Sequence, residues 1–217
     1  MRLHEGFRIK LHDKEILRLL RSENASQKKY KKPSTELLYE ISELKDFAVE
    51  LLNPRGMYDI FDSSELTPKF LFNKSEKTVL CICTVGKDME EESSRLLNKG
   101  ELAKGVILDA IASHAAEEVA VWMYRAIIRD ISEDIEDLDF TNRFSPGYCQ
   151  WSLAGGQKVI FNLLPSDILR VKLSKSMMMI PRKSVSFAVN IGKVVDMELG
   201  LKECPTCDLQ DCSFRRD

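Results

Sequence analysis

An α+β fold is expected for this 217-residue chain on three grounds. Residues 78–85, Thr-Val-Leu-Cys-Ile-Cys-Thr-Val, are β-rich and almost wholly apolar, which fits a strand buried on both faces. Residues 102–131 form the longest periodic segment, with apolar residues recurring at helical spacing. The mixture of such helices with non-alternating strands argues for helices packed beside a sheet in one α+β domain.

The elements follow in order along the chain. Residues 13–20 carry a short helical pattern. The polar stretch from Arg21 to Lys32 contains Lys28, Lys29, Lys31 and Lys32. Only Tyr30 interleaves and no recognition motif surrounds it, so a solvated loop is expected rather than a phosphate or acidic-partner site. Pro33-Ser34-Thr35 opens a helix with a hydroxyl to cap it. Leu37, Leu38, Ile41, Leu44, Ala48, Leu51 and Leu52 give that helix one buried face, and Asn53-Pro54-Arg55-Gly56 ends it.

Residues 57–76 read as loop with short extended pieces. The strand at 78–85 ends at Gly86, and Lys87 to Leu97 reads as a charged helix closed near Gly100. In the long helix, Ala103, Val106, Ile107, Ala110, Ile111, His114, Ala115, Trp122, Ala126 and Ile127 trace an apolar stripe. Glu117, three residues after His114, points toward that stripe. Glu133 to Asp139 reads as a solvated acidic linker.

Ser152 is expected to cap a helix bearing Val159, Ile160, Phe161, Leu163 and Leu164, broken at Pro165. Val171–Met179 and Ser184–Ile191 read as strands joined by Pro181-Arg182-Lys183, and Gly192-Lys193 reads as a turn before Val194-Val195. One domain is expected over residues 1–203, its part up to about residue 76 helical, with a cysteine-rich tail at 204–217.

Composition narrows the partners. The formal net charge is -2, from 32 basic and 34 acidic side chains. No global field holds such a chain on nucleic acid or on an anionic membrane, and neither is expected as a partner. No apolar run is long enough to span a bilayer. The charged N-terminus has no apolar signal core, so a cytoplasmic location is expected. The six cysteines then read as reduced thiols or metal ligands rather than a disulfide framework. Cys81 and Cys83 fall in the apolar strand and read as buried small residues. Met177, Met178 and Met179 read as core strand packing in preference to a ligand-facing surface.

The segment with most chemistry is Arg143-Phe144-Ser145-Pro146-Gly147-Tyr148. Pro146 fixes φ and keeps Ser145 extended, and Gly147 permits a sharp turn. Arg143 offers a planar fork to a carboxylate, and Tyr148 a flat face to a ring or a cation. By themselves these residues also fit a structural Pro-Gly turn beside a surface arginine.

The wider pattern points further. Arg-x-Ser-Pro-Gly-Tyr is followed by Gln157 and by Ile160-Phe161-x-Leu163-Leu164. Leu173-x-x-Ser176-Met177-Met178-Met179-x-Pro181-x-Lys183-Ser184-Val185-Ser186 comes later. Leu108-Asp109-Ala110-Ile111-Ala112-Ser113, continued by Ala115-Ala116-Glu117, comes earlier. Together these segments resemble the activation domain of vitamin B12-dependent methionine synthase, over about residues 79–192.

The resemblance implies a twisted, largely antiparallel sheet with flanking helices. It implies a domain that binds S-adenosylmethionine and supports reductive methylation of a corrinoid held by a partner protein. The electron would come from a flavodoxin- or ferredoxin-type donor. Arg143 would hold the ligand carboxylate, and Ser145, Pro146 and Gly147 would meet the ligand through their backbone. Tyr148 would sit near ligand and corrinoid, and Glu117 matches a carboxylate of the family's long helix. Its alternative role is that of an ordinary helix-surface or salt-bridged acid.

The chain departs from the family in two ways. After Ser186 only one aromatic, Phe187, stands where more are expected to enclose the ligand. No Asp-x-His-x-x-Gly cobalt-ligating loop occurs, nor a zinc site for homocysteine before the tail. A component of a methionine synthase-type system is therefore expected, not a complete methionine synthase. The alternative is a non-catalytic metal- or ligand-binding interaction protein that keeps the fold.

Cys204-x-x-Cys207-x-x-x-x-Cys212 supplies three thiolates within nine residues, suited to zinc or an iron–sulfur cluster. The only histidines are His4, His12 and His114, so Cys149 is the candidate fourth ligand within the chain.

Overall fold

A computed structural model describes residues 1–22, 32–133, 137–197 and 199. In chain order the elements are β1 (Arg2–Glu5), α1 (Asp13–Ser22), α2 (Thr35–Leu51), β2 (Arg55–Asp62), α3 (Lys69–Phe72), β3 (Lys77–Thr84), α4 (Asp88–Asn98) and α5 (Leu102–Ser132). There follow β4 (Asp139–Phe140), α6 (Leu153–Leu163), β5 (Lys172–Leu173), β6 (Met179–Ile180) and β7 (Ser184–Gly192).

The five strands β1-β2-β3-β7-β4 form one sheet in that spatial order, and every neighbouring pair is antiparallel. In the middle, β3 has β2 on one side and β7 on the other, with Cys81 opposite Tyr58 and Phe187. Its side chains alternate between two apolar clusters. Val79, Cys81 and Cys83 pack with Ala115, Val119 and Met123 of α5. Leu80 and Ile82 face the opposite layer, with Phe72, Phe144, Trp151 and Ile160. Both faces are covered, which is why the strand shows no polar alternation.

Two expected caps are in place. The Ser34 hydroxyl accepts the Leu37 N–H at 3.2 Å at the start of α2, and the Ser152 hydroxyl accepts the Gly155 N–H at 3.2 Å at the start of α6. The apolar face of α5 is wider than the stripe read from sequence. Leu108, Ala112, Ala116, Val119, Ala120 and Met123 are also buried, because the first half of the helix packs among α1, α2 and α4 and the second half lies on the sheet.

Four readings are corrected. The region read as loop from residue 57 contains most of β2, which pairs along its whole length with β3. Pro54, Gly56 and the aspartates at 59 and 62 hide it in the sequence, yet Met57 and Tyr58 are buried between neighbours. The N-terminal part expected to be helical also holds β1, a polar edge strand whose charges face solvent. Val171–Met179 is not one strand. It folds back on itself as the β5–β6 hairpin, closed where the Ser174 N–H donates to the Met178 carbonyl at 2.8 Å. Of the three methionines only Met179 packs against a core cluster, and Met178 is exposed. Finally, β7 runs on through Gly192, one residue past its expected end at Ile191 and into the expected turn.

Candidate functional site

Residues 139–144 run along the free edge of β7. Phe140 pairs with Ile191, the Thr141 N–H donates to the Asn190 carbonyl at 3.0 Å, and Phe144 exchanges hydrogen bonds of 3.0 and 2.8 Å with Ala188. Extended backbone sends alternate side chains to opposite faces. Phe144 therefore enters the Trp151 cluster, while Arg143 lies on the α5 face with its guanidinium 5.9 Å from the centre of the Phe187 ring. From α5, the Tyr124 hydroxyl donates to the Thr141 carbonyl at 3.0 Å and holds the segment in register.

Arg143 meets Glu117 there. Its Nη2 donates to Glu117 Oε1, a charge-assisted hydrogen bond between a buried guanidinium and a carboxylate whose side chain is 35% exposed. The two residues named separately from sequence thus form one unit, open to solvent on the Glu117 side. The guanidinium's field reaches its neighbours. Burial raises the Tyr124 phenol above its ordinary range, and the Arg143 charge opposes that. Burial pushes the Cys81 thiol well up, its neighbour Cys83 adds to this, and Arg143 offsets only part. Cys81 stays a thiol in the core, as its strand position suggests.

Beyond Phe144 the chain turns sharply. The Tyr148 N–H donates to the Ser145 carbonyl at 3.0 Å, the Gly147 N–H to the Trp151 carbonyl at 2.7 Å, and the Trp151 N–H to the Tyr148 carbonyl at 2.8 Å. Gly147 has φ +96°, which a side chain would strain. Cys149 and Gln150 follow with φ of 51° and 60°. Pro146 is buried, Ser145 is half-buried, and Gly147 is exposed. Tyr148 is 60% exposed, with its ring available at the surface. The turn is braced from α6: a Cβ on Gly156 would lie 2.7 Å from Pro146 Cβ and Cγ and 2.8 Å from Trp151 Cε2.

The three sequence segments that carry the resemblance are tied together in space. Lys183, before β7, donates through Nζ to Asp109 Oδ2 at 2.8 Å and Ser113 Oγ at 2.7 Å, both on α5. The Ser186 hydroxyl of β7 donates to Gln157 Oε1 of α6 at 3.1 Å, in the core. Sequence reasoning assigned no role to Lys183, Asp109, Ser113 or Tyr124. The i,i+4 spacing of Asp109 and Ser113 was the available signal that they share one helix face. Phe187, read as a remnant of the ligand-enclosing aromatics, is fully buried beneath Arg143 instead.

Cys204, Cys207 and Cys212 lie outside the described residues. Cys149 is half-buried against the Trp151 cluster. Among the described residues no group of three or more His, Cys, Asp or Glu could hold a metal ion. Nor, among them, is any helix long and apolar enough to cross a membrane.

No protein-family model and no curated protein matches the sequence. Among solved structures, a crystal structure of the MetH reactivation domain bound to AdoHcy matches with a TM-score of 0.57 at 15% sequence identity, covering 87% of this chain and 77% of that chain. The likeness is one of fold: a curled antiparallel five-stranded sheet with flanking helices, the architecture of that reactivation domain.

Proposed function

We propose that this chain binds S-adenosylmethionine at the Arg143–Tyr148 loop and supports reductive methylation of a corrinoid cofactor held by a partner methionine synthase or corrinoid methyltransferase. The observation that carries the reading is the buried Arg143 guanidinium, held by a half-exposed carboxylate beside a turn whose Gly147 and Tyr148 are exposed. It occurs in the fold of a domain whose solved structure holds AdoHcy, the demethylated form of the same ligand.

The residues fit such a ligand. Arg143 supplies the fork for its carboxylate, at the cost of loosening Glu117. Glu117, once released, is a negative charge for the sulfonium or the ammonium. The carbonyls of Pro146 and Gly147 accept no hydrogen bond from the described residues and can take an ammonium N–H. The exposed Tyr148 ring can lie against the cation or against a corrinoid face. The N–H groups of Gly147 and Tyr148 are spent within the turn, so the loop offers acceptors more than donors. The corrinoid would belong to the partner, and its cobalt would take the methyl group together with one electron from a flavodoxin- or ferredoxin-type donor.

Titration calorimetry with S-adenosylmethionine tests the binding half. Arg143→Ala should weaken affinity by about 10- to 150-fold, the loss of a charge-assisted hydrogen bond of ~1.5–3 kcal/mol. No measurable heat with the wild-type chain would favour the second reading, a metal- or ligand-binding interaction protein. The pairing of Arg143 with an internal carboxylate is what speaks for it, since the pair also makes sense as pure structure. Its Cys204, Cys207 and Cys212 would then hold zinc or an iron–sulfur cluster structurally, with Cys149 as candidate fourth ligand. The reactivation half is tested by mixing the chain with a cobalt(II)-corrinoid protein, a reductant and S-adenosylmethionine and following the corrinoid spectrum. Absence of the methylated form across candidate partners would sink it.

A further inference from the structure

A cavity of about 670 Å³ opens between α4 and the β5–β6 hairpin, and no residue of the Arg143–Tyr148 loop lines it. That volume falls within the range of small-molecule sites, ~300–1,000 Å³. Along α4 its wall carries Lys87, Arg95 and Lys99, a helical face ~18 Å long at 1.5 Å per residue. The opposite wall carries Arg170 and Lys172. Lys172 and Ile180 are register partners in the hairpin, so the ammonium stands beside a half-exposed apolar side chain.

The charges are unequally matched. Glu90 and Glu91 also line the cavity, but both are committed. Glu90 accepts the Arg182 backbone N–H and its Nε, each at 2.8 Å, and Glu91 accepts Lys87 Nζ at 2.7 Å. Arg95 is held by Glu92 through two contacts of 2.6 Å. Arg170 and Lys172 have no ion pair or side-chain hydrogen bond among the described residues. Lys99 reaches Glu92 only through space. Uncompensated cations on both walls of a concave surface repel one another, and an anion between them relieves the repulsion.

The loop bearing Arg170 is also fixed in place. Arg170 has φ 56° and its N–H donates to the Asp167 carbonyl at 2.9 Å, while Arg55 Nη2 of β2 donates to the adjacent Leu169 carbonyl at 2.9 Å. A cation on a braced turn loses little freedom on binding.

We infer that this cavity is a second ligand site, independent of the Arg143 loop, for an organic phosphate of nucleotide size. Its phosphates lie between Arg170, Lys172 and Lys99, and its apolar or aromatic body lies on Ile180. Lysine and arginine from two walls suit a branched polyanion, and the apolar floor gives an organic phosphate an advantage over the bare anion.

The test is calorimetric titration of the full chain with ATP, with pyrophosphate and an octaglutamate peptide as separate arms. Three forms are compared: wild type, Arg143→Ala, and Arg170→Asn with Lys172→Gln. Both residues of the double variant are exposed, and asparagine tolerates the left-handed backbone at 170. Saturable ATP binding is expected, at least ~10-fold weaker in the double variant, which is about 1.4 kcal/mol. It should be unchanged in Arg143→Ala, which separates this site from one for the adenosyl ligand, and should weaken as salt rises. Absence of saturable ATP binding overturns the inference, as does binding that the double variant leaves intact. Pyrophosphate or octaglutamate binding as tightly as ATP overturns it too, the first by making the site a bare anion hole and the second by making it an acidic-polypeptide surface.

Discussion

Arg143 faces a choice between the carboxylate it already holds and one that a ligand would bring. Glu117 plays two opposed parts in that choice: it competes for the guanidinium, and it offers negative charge to a sulfonium. Glu117→Gln separates them. Binding of S-adenosylhomocysteine, whose sulfur is neutral, should tighten, while binding of S-adenosylmethionine gains less or weakens. The ratio of the two affinities should move by roughly 5-fold toward the neutral ligand, ~1 kcal/mol of charge interaction. A ratio unchanged by calorimetry would leave Glu117 a structural partner of Arg143 and nothing more. Both residues were legible in the sequence, one from its motif and one from its helix position. Their pairing was not, because it depends on residues 139–144 landing on the edge of β7.

Asp130 was not legible at all. It sits near the end of α5 among apolar neighbours, and apart from the adjacent Arg129 its partners come from strands the sequence concealed. The Tyr58 hydroxyl donates to it at 3.0 Å, Arg129 Nη2 lies 2.9 Å away, and His4 Nε2 lies at 3.2 Å. Burial pushes this carboxyl up, but the hydrogen bonds from Arg129 and Tyr58 and the nearby positive charge together outweigh it, so it stays below the usual carboxylate range. The carboxylate's contribution to stability is fully present above its unfolded pKa of ~3.9 and fades as pH falls through the lower folded value. Asp130→Asn should cost about 1–3 kcal/mol at neutral pH by denaturant melts. That gap should narrow toward acid pH, and one that stays constant down to the acid limit would mean that packing, not charge, is what Asp130 contributes.

The turn of residues 145–151 and the helix α6 behave as one element. The Ser152 cap starts the helix immediately after the turn, and Gly156 one turn later lets Pro146 and Trp151 lie against the helix backbone. A methyl group there has no flexible side-chain end to displace, only a proline ring and an indole. Gly156→Ala should therefore destabilise by about 1–3 kcal/mol, in spite of alanine's better helix propensity. It should also weaken ligand binding at Arg143 by shifting the Pro-Gly-Tyr turn. An increase in stability on thermal melting would show that the turn yields freely and is not braced by α6. The cap was plain in the sequence because Ser152 precedes an apolar-periodic run. The brace was not, since a glycine inside a helical pattern says only that something comes close, not what. The β5–β6 hairpin was missed for a related reason: its strands have two residues each, too short for any alternation to register.

Taken whole, the molecule hangs on α5, which contributes to the cluster shared with α1, α2 and α4 and to the cluster against the sheet. Its length was readable from periodicity and β3's double burial from an almost wholly apolar, β-rich run, and with them the α+β class. The sheet order was not, because pairing between β3 and β7 joins residues a hundred or more positions apart. This architecture has a consequence for binding. Glu117 stands on α5, Arg143 on the strand edge beside β7, and the Pro-Gly-Tyr turn against α6, so a ligand touching all three bridges both sides of one sheet. Binding there should be felt in global unfolding rather than in a local event. At a free S-adenosylmethionine concentration of ~100 times Kd, the native state gains about 2.7 kcal/mol. At ~2–4 °C per kcal/mol for a chain of this size, the melting temperature should rise by roughly 5–11 °C in a single transition. Arg143→Ala should lose most of that rise. Two resolved transitions, with only one responding to ligand, would mean that the layers on the two faces of the sheet unfold separately and that the site belongs to one of them. No shift at saturating ligand would remove the site altogether.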